Sequence, residues 1–174
     1  MSADRASAEQ GRKRLYLVRH ADAGDPAEWI GPDAERPLSS KGVKQAARLA
    51  ATLVAAGVNV GPLRTSPARR CTETCAVIAA ALDTTATIDE RLADGPTAAH
   101  VAKLLARRGD DALLLVGHQP HLGNLIAELT GIAAIPVEKG SLIRIDIEAP
   151  FAPGSGQITA IIPPAVLRAP KSER

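Results

Sequence analysis

Leu15-Tyr16-Leu17-Val18-Arg19-His20-Ala21-Asp22 is the stretch on which the reading of this chain turns. Its first four residues have strand character, and the run stops abruptly at an arginine and a histidine. In an open α/β sheet, ligands sit in the crevice at the carboxyl ends of the strands, so Arg19 and His20 stand where a ligand would. A guanidinium fork matches the oxygens of an anion. An imidazole beside it can serve as base or nucleophile. The same pair also reads as a solvated cap on a strand, and the rest of the chain has to decide between the two.

Working outward, residues 1–13 are polar and aperiodic, and strand one is expected over 14–18. A long Asp/Gly/Pro/Glu loop over 21–36, with Trp29 and Ile30 in its middle, has the composition of a functional loop. Ser39 or Ser40 then caps a helix whose apolar stripe is Val43, Ala46, Ala47, Ala50, Leu53 and Val54. Gly42 sits early in that helix, where something can pack close. Gly61-Pro62 breaks the next strand, leaving 63–66. Ser66-Pro67 reads as cap and first residue of a second helix. A short strand is expected over 86–88, a charged loop over 89–97 and a helix over 98–107. Ala112-Leu113-Leu114-Leu115-Val116-Gly117 is a continuous apolar run, the pattern of a central parallel strand buried on both faces. A helix follows Pro120, with Leu122, Leu125, Ile126 and Leu129 inward. The alternation over 141–147 predicts a half-exposed antiparallel strand, and 157–162 pairs back on it as a hairpin.

This order predicts a three-layer α/β/α sandwich with a mostly parallel central sheet and an antiparallel edge hairpin. One domain is expected over 14–163, with flexible tails at 1–13 and 164–174. At 174 residues the chain can bury a proper core of Leu, Val, Ile and Ala. Tyr16, Trp29 and Phe151 are too scattered for base stacking, and a net charge of +2 without clustering argues against a nucleic-acid face. No apolar run approaches the ~20 residues of a membrane span. Without an apolar leader, a cytoplasmic location is expected. Cys71 and Cys75 read as two small buried thiols on one helix face.

Three strand ends share one kind of chemistry: Arg19-His20, then Ser66-Pro67-Ala68-Arg69-Arg70 opening a helix, then Gly117-His118 meeting another. Two arginines, two histidines and two helix starts on one rim would suit a tetrahedral dianion. These motifs resemble the histidine phosphatase superfamily, the phosphoglycerate mutase-like fold. The residues that carry the resemblance are Arg19-His20-Ala21, Ser66-Pro67-Ala68-Arg69-Arg70-Cys71-Thr72-Glu73-Thr74 and Val116-Gly117-His118. Within it, Arg19-His20-Ala21 with Arg36-Pro37-Leu38-Ser39-Ser40-Lys41-Gly42 and Val116-Gly117-His118-Gln119-Pro120-His121-Leu122 looks like the small SixA-type phosphohistidine phosphatases. Ala21 stands where the superfamily usually has glycine.

The resemblance implies that His20 is the nucleophile. Its far nitrogen would keep a proton on a backbone carbonyl. Arg19, Arg70 and His118 would grip the transferring phosphoryl group, with Gln119 reaching it. No metal and no cofactor is implied. Asp94, with Glu90 as second choice, matches the position of a general acid; its plain alternative is to cap the helix after Pro96. Asp22 and Asp25 could orient Arg19 or simply be solvated, and Trp29 could wall a pocket or anchor its loop. Arg69 is read as solvated, His100 as surface or packed, and His121 at the mouth or capping a helix. The expected activity is removal of phosphate from protein phosphohistidine by a monomer. A small-molecule phosphomonoesterase and a non-catalytic phosphate-binding module are the alternatives.

Overall fold

Residues 12–61, 63–106, 111–148 and 151–167 are described by the structure, a computed structural model. Six strands form one sheet: β1 (Arg12–Arg19), β2 (Leu63–Thr65), β3 (Ala86–Ile88), β4 (Ala112–Gly117), β5 (Leu142–Glu148) and β6 (Gln157–Ile162). Their spatial order is β3-β2-β4-β1-β5-β6. The β3, β2, β4 and β1 neighbours run parallel, β5 is antiparallel to β1, and β6 is antiparallel to β5. The helices are α1 (Ser40–Ala55), α2 (Arg69–Ala81), the single turn α3 (Arg91–Asp94), α4 (Ala98–Leu105) and α5 (His121–Thr130).

The two central strands, β1 and β4, explain the layering. Successive strand residues face opposite sides of a sheet. Tyr16, Val18, Leu114 and Val116 join a core with Leu49, Leu53, Cys71, Cys75 and Ile78, under α1 and α2. Leu15, Leu17, Leu113 and Leu115 join a second core with Leu92, Val101, Leu122, Leu125 and Ile126, under α3, α4 and α5. Apolar side chains on both faces are what a strand between two helical layers requires. Each fully buried leucine contributes roughly 1.5–3 kcal/mol.

The expected boundaries shift in places. β1 begins at Arg12, so residues 12 and 13 belong to the sheet; β5 extends the ladder there, with Arg12 opposite Glu148. At the other end Pro164–Val166 forms a 3-10 turn and Leu167 is buried in the first core. Residues 1–11 and 168–174, the rest of the expected tails, lie outside the described residues. In α1 the buried stripe is Gly42, Ala46, Leu49, Ala50 and Leu53, while Val43 and Val54 are about half exposed. Ser66 does not cap α2: the residue before a proline is held extended, Ala68 takes the N-cap, and the Ser66 N–H donates to the Val116 carbonyl at 3.0 Å. α4 ends at Leu105, and the expected extension to Arg107 falls on an undescribed residue. In β5, Asp146 points to the expected outer face yet is buried, because Arg144 clamps its carboxylate at 2.7 and 2.9 Å.

Gly42 shows why α1 starts where it does. Ser39 caps the helix, accepting from Gly42 N–H at 3.0 Å, and Ser39 N–H donates to the Asp22 carbonyl at 3.0 Å. A Cβ at Gly42 would overlap that carbonyl. Alanine normally stabilises a helix relative to glycine by about 1 kcal/mol; here overpacking reverses the sign. Gly42→Ala is therefore expected to lower unfolding stability by about 2 kcal/mol or more in urea titration. An unchanged or raised midpoint would contradict this packing.

Candidate functional site

Parallel pairing aligns the ends of β1 and β4, with Arg19 opposite Gly117, and β2 ends beside them with Thr65 opposite Val116. His20, Ser66 and His118 thus leave the sheet on one edge. His20 N–H donates to the Gly117 carbonyl at 2.9 Å, and Gly140 N–H binds the Arg19 and His20 carbonyls at 3.1 and 3.0 Å. The backbone around His20 is held from both sides.

The imidazole of His20 is 4% exposed, and its Nδ1 lies 2.8 Å from the Ala21 carbonyl. A carbonyl only accepts, so Nδ1 carries the proton and Nε2 keeps its lone pair. Burial pushes the His20 pKa down from 6.5 to about 4; the Ala21 carbonyl opposes this, and Arg70, Arg19 and His118 add to it. Arg70, Arg19 and His118 are thus near enough to act on the His20 ring electrostatically. His20 is neutral at neutral pH.

That shift links to stability. The unfolded chain protonates His20 near its ordinary pKa, while the folded protein refuses the proton until about pH 4. Stability from this group is fully present above pH 6.5 and is lost as pH falls towards 4. About 3 kcal/mol is at stake. Denaturant midpoints between pH 7 and pH 4.5 should fall more steeply in the wild type than in His20→Asn. Equal slopes would contradict a buried neutral imidazole.

Arg19 donates from Nη1 to the Val137 carbonyl at 2.6 Å, and its Nε is buried without a partner among the described residues. Burial and then Arg70 lower its pKa. Arg70, in the first turn of α2, is 8% exposed. Its Nη1 donates to the Asp33 carbonyl at 2.7 Å and its Nη2 pairs with the Asp33 carboxylate at 3.0 Å. Its Nε, too, is buried without a partner among the described residues. Each of these two arginines, both of which act electrostatically on His20, thus keeps one buried N–H without a partner among the described residues. A buried donor left unpaired costs about 1–3 kcal/mol, so both guanidinium groups are held here at a cost to stability.

Asp33 is the residue sequence reasoning missed. Its carboxylate also takes Arg36, through Nε and Nη2 at 2.9 Å each, while Arg36 Nη1 donates to the Ala23 carbonyl at 2.7 Å. Burial works to raise the Asp33 pKa, but Arg36 and Arg70 outweigh it and hold the carboxyl ionised below its usual range. The 21–36 loop is thereby tied to the first turn of α2 through one bridging carboxylate. Thr74 does a similar job from α2: its hydroxyl donates to the Arg70 carbonyl at 2.7 Å and accepts the Ala21 N–H at 3.1 Å.

His118 is half-buried, with Nε2 lying 3.2 Å from the Leu92 carbonyl. Burial, then His121 and Arg70, lower its pKa, against the carbonyls of Leu92 and Ala93. The His121 ring stands 5.3 Å from that of His118, tilted by 56°. His121 accordingly lies at the rim beside His118. No group of three or more His, Cys, Asp or Glu side chains able to hold a metal is found among the described residues.

Some expectations are corrected and others are met. Gln119 does not turn to the anion site: its Nε2 donates to the Ile135 carbonyl at 3.1 Å and its Oε1 accepts from Gly123 N–H at 3.0 Å. Both amide ends are held by α5 and the segment after it. Asp94 and Glu90 are exposed at the two ends of α3, and Thr97, not Asp94, caps α4. Asp22 bonds Ser39 and the Gly24 N–H, and Asp25 caps a 3-10 turn, so neither touches Arg19. Trp29 is half-buried and donates to Pro32 within its own loop, beside a cavity of about 210 Å³. His100 is packed, with Nε2 on Asp89 at 2.7 Å and Nδ1 on Arg91 at 2.8 Å. Arg69 pairs with Glu73 at 2.8 Å. Cys71 and Cys75 are buried free thiols, each pushed up to about 12 by burial.

The sequence pattern of the histidine phosphatase superfamily (branch 1) matches residues 15–95, which include His20, Arg70 and Asp94. A protein of Picosynechococcus sp., itself uncharacterized, is 36% identical over 113 residues, 63% of this chain and 68% of that protein. The chain belongs to the histidine phosphatase superfamily. Solved structures share the fold. The protein histidine phosphatase SixA, complexed with tungstate, superposes with a TM-score of 0.76 at 22% identity, covering 89% of this chain and 99% of SixA. The alpha-ribazole phosphatase of Shigella flexneri gives 0.69 at 20% identity, covering 92% of this chain and all of that one. This membership accounts for the phosphoglycerate mutase-like sheet order. No helix among the described residues is long and apolar enough to cross a membrane.

Proposed function

We propose that this protein is a phosphatase that removes phosphate from protein phosphohistidine by way of a phosphohistidine on its own His20. The observation that carries the reading is the His20 imidazole: buried, neutral, and with Nδ1–H held by the Ala21 carbonyl so that the Nε2 lone pair is free. Nε2 attacks phosphorus, the N–P or O–P bond to the leaving group breaks, and water then hydrolyses the phosphoenzyme to inorganic phosphate. Arg19 and Arg70 supply two positive charges for a dianion, and both act electrostatically on the His20 ring that would attack it. His118 completes the grip: bound phosphate favours its imidazolium, which donates from Nδ1 to phosphate while Nε2–H stays on Leu92. With the charge met by guanidinium groups, the reaction needs no metal.

The exposed carboxylate of Asp94 bears on the leaving group. An alkoxide needs a proton from a nearby acid; the imidazole released from phosphohistidine needs less help. Asp94 stands two residues beyond the Leu92 carbonyl that meets His118, within reach of the rim but without a shielded place. That favours a phosphoramidate over an ester. The shared fold of alpha-ribazole phosphatase keeps a small-molecule phosphomonoesterase as the second reading.

Rates on phosphohistidine peptide, p-nitrophenyl phosphate and a sugar-phosphate panel, with and without chelator, decide between them. Chelator-insensitive turnover that favours the phosphoramidate supports the proposal. Preference for esters supports the second reading, and binding without turnover would make the protein a phosphate-binding module. Asp94→Asn is expected to slow ester hydrolysis several-fold more than phosphohistidine hydrolysis. Equal effects on both would remove Asp94 from the acid role.

A further inference from the structure

A hollow of about 590 Å³ lies against α1, lined by Lys41, Lys44, Gln45 and Arg48 and closed on its far side by Pro164 and Ala165. Positions 41, 44, 45 and 48 share one face of the helix. No carboxylate lines the hollow, and none of Lys41, Lys44 and Arg48 is ion-paired among the described residues. All three are exposed.

The hollow adjoins the anion site. Gln45 Oε1 accepts the N–H of Asp22 at 2.8 Å, two residues on from His20, and Gly140, which ties the His20 carbonyl, backs onto the Gln45 side chain. The sheet register agrees: Val18 pairs with Leu142 and Leu142 with Ile162, so the Pro164–Ala165 wall follows the strand end on the His20 edge.

We infer that this hollow docks the acidic face of the protein whose phosphohistidine enters the His20 site, an inference that rests on the phosphohistidine reading above. Charge complementarity selects the occupant. The chain's own segment 168–174 carries Arg168, Lys171 and Arg174 against one glutamate, the wrong sign to fill it. Three cations in a concave wall are fewer than the cluster of about four to eight that marks an anionic-lipid surface. A rim of unpaired cations beside a reactive centre steers an acidic partner and fixes its orientation.

The test uses the full chain and three substrates: a peptide of ~15 residues with a central phosphohistidine flanked by glutamates, its lysine-flanked counterpart, and phosphoramidate. Such a peptide can extend ~50 Å, enough to span site and hollow. The wild type is expected to favour the acidic peptide by about tenfold in kcat/KM through KM, an advantage that shrinks with added salt. Lys44→Glu with Arg48→Glu should abolish or invert the preference and change phosphoramidate turnover less than twofold. Equal rates on both peptides overturn the inference while leaving the proposed function intact. No phosphohistidine hydrolysis at all overturns that function first. A dimer, or binding to phosphatidylserine vesicles, that the double variant abolishes without any peptide preference would assign the hollow to another occupant and overturn the docking inference.

Discussion

Replacing His20 with alanine is expected to reduce phosphatase turnover by at least about 10³-fold, with the fold intact. The size follows from what the side chain contributes. In the proposed reaction the other groups stabilise charge or position the substrate; His118 also has a ring nitrogen off its carbonyl partner but is only half-buried, whereas His20 is buried, neutral and held with Nε2 free. Without it the remaining route is direct attack by water, helped only by the arginines. The His20 backbone is held through Gly117 and Gly140 whatever its side chain, so circular dichroism and gel filtration should match the wild type. Activity within about tenfold of wild type would mean that another residue attacks phosphorus.

Arg70→Ala is expected to lower kcat/KM by about 10²–10³-fold, the usual loss when one preorganised donor to transition-state charge is removed. Here the loss has a second source. Arg70 shields the site from the Asp33 carboxylate, which it binds at 3.0 Å. With alanine in place, that anion faces the incoming phosphate with only Arg36 to balance it. Arg70→Ala should therefore be partly rescued by Asp33→Ala in the same chain, while Asp33→Ala alone slows turnover because Arg70 loses the carboxylate contact and is aimed only by the main-chain carbonyl of residue 33. Lysine at position 70 should restore little, since an ammonium cannot hold Asp33 and phosphate with the geometry of a fork. Strict additivity of the two alanine substitutions would show that Asp33 and Arg70 act independently, against the geometry.

How much of this was legible without coordinates depends on the range over which the chain communicates. The all-apolar run at 112–117, bounded by turn residues, has the pattern of a strand buried on both faces, and it is one. Arg19-His20 and Gly117-His118 each follow a strand whose apolar pattern announces itself, while the short Leu63–Thr65 strand before Arg70 is marked more by the Ser66-Pro67 that follows it; parallel pairing puts the three strand ends on one edge. Asp33 left no such signal. It looks like any loop aspartate, and its meaning comes from an arginine 37 residues away. Gln119 misled for the opposite reason: beside His118 in sequence, its amide turns back to Ile135 and Gly123, since a side chain at a strand-to-helix turn can face either way. Val43 fits a helical stripe by residue type, but the rotation of α1 is set by Gly42 against Asp22, which turns Val43 to solvent.

The central claim is that His20 becomes phosphorylated on Nε2 during turnover. Rapid quenching of the full chain with phosphohistidine substrate, then peptide mapping by mass spectrometry at alkaline pH, tests it directly. The expected result is an acid-labile, base-stable phosphate on the peptide that carries His20, absent in His20→Asn. Label on His118 or His121, or steady turnover with no protein-bound phosphate at any time, would contradict it.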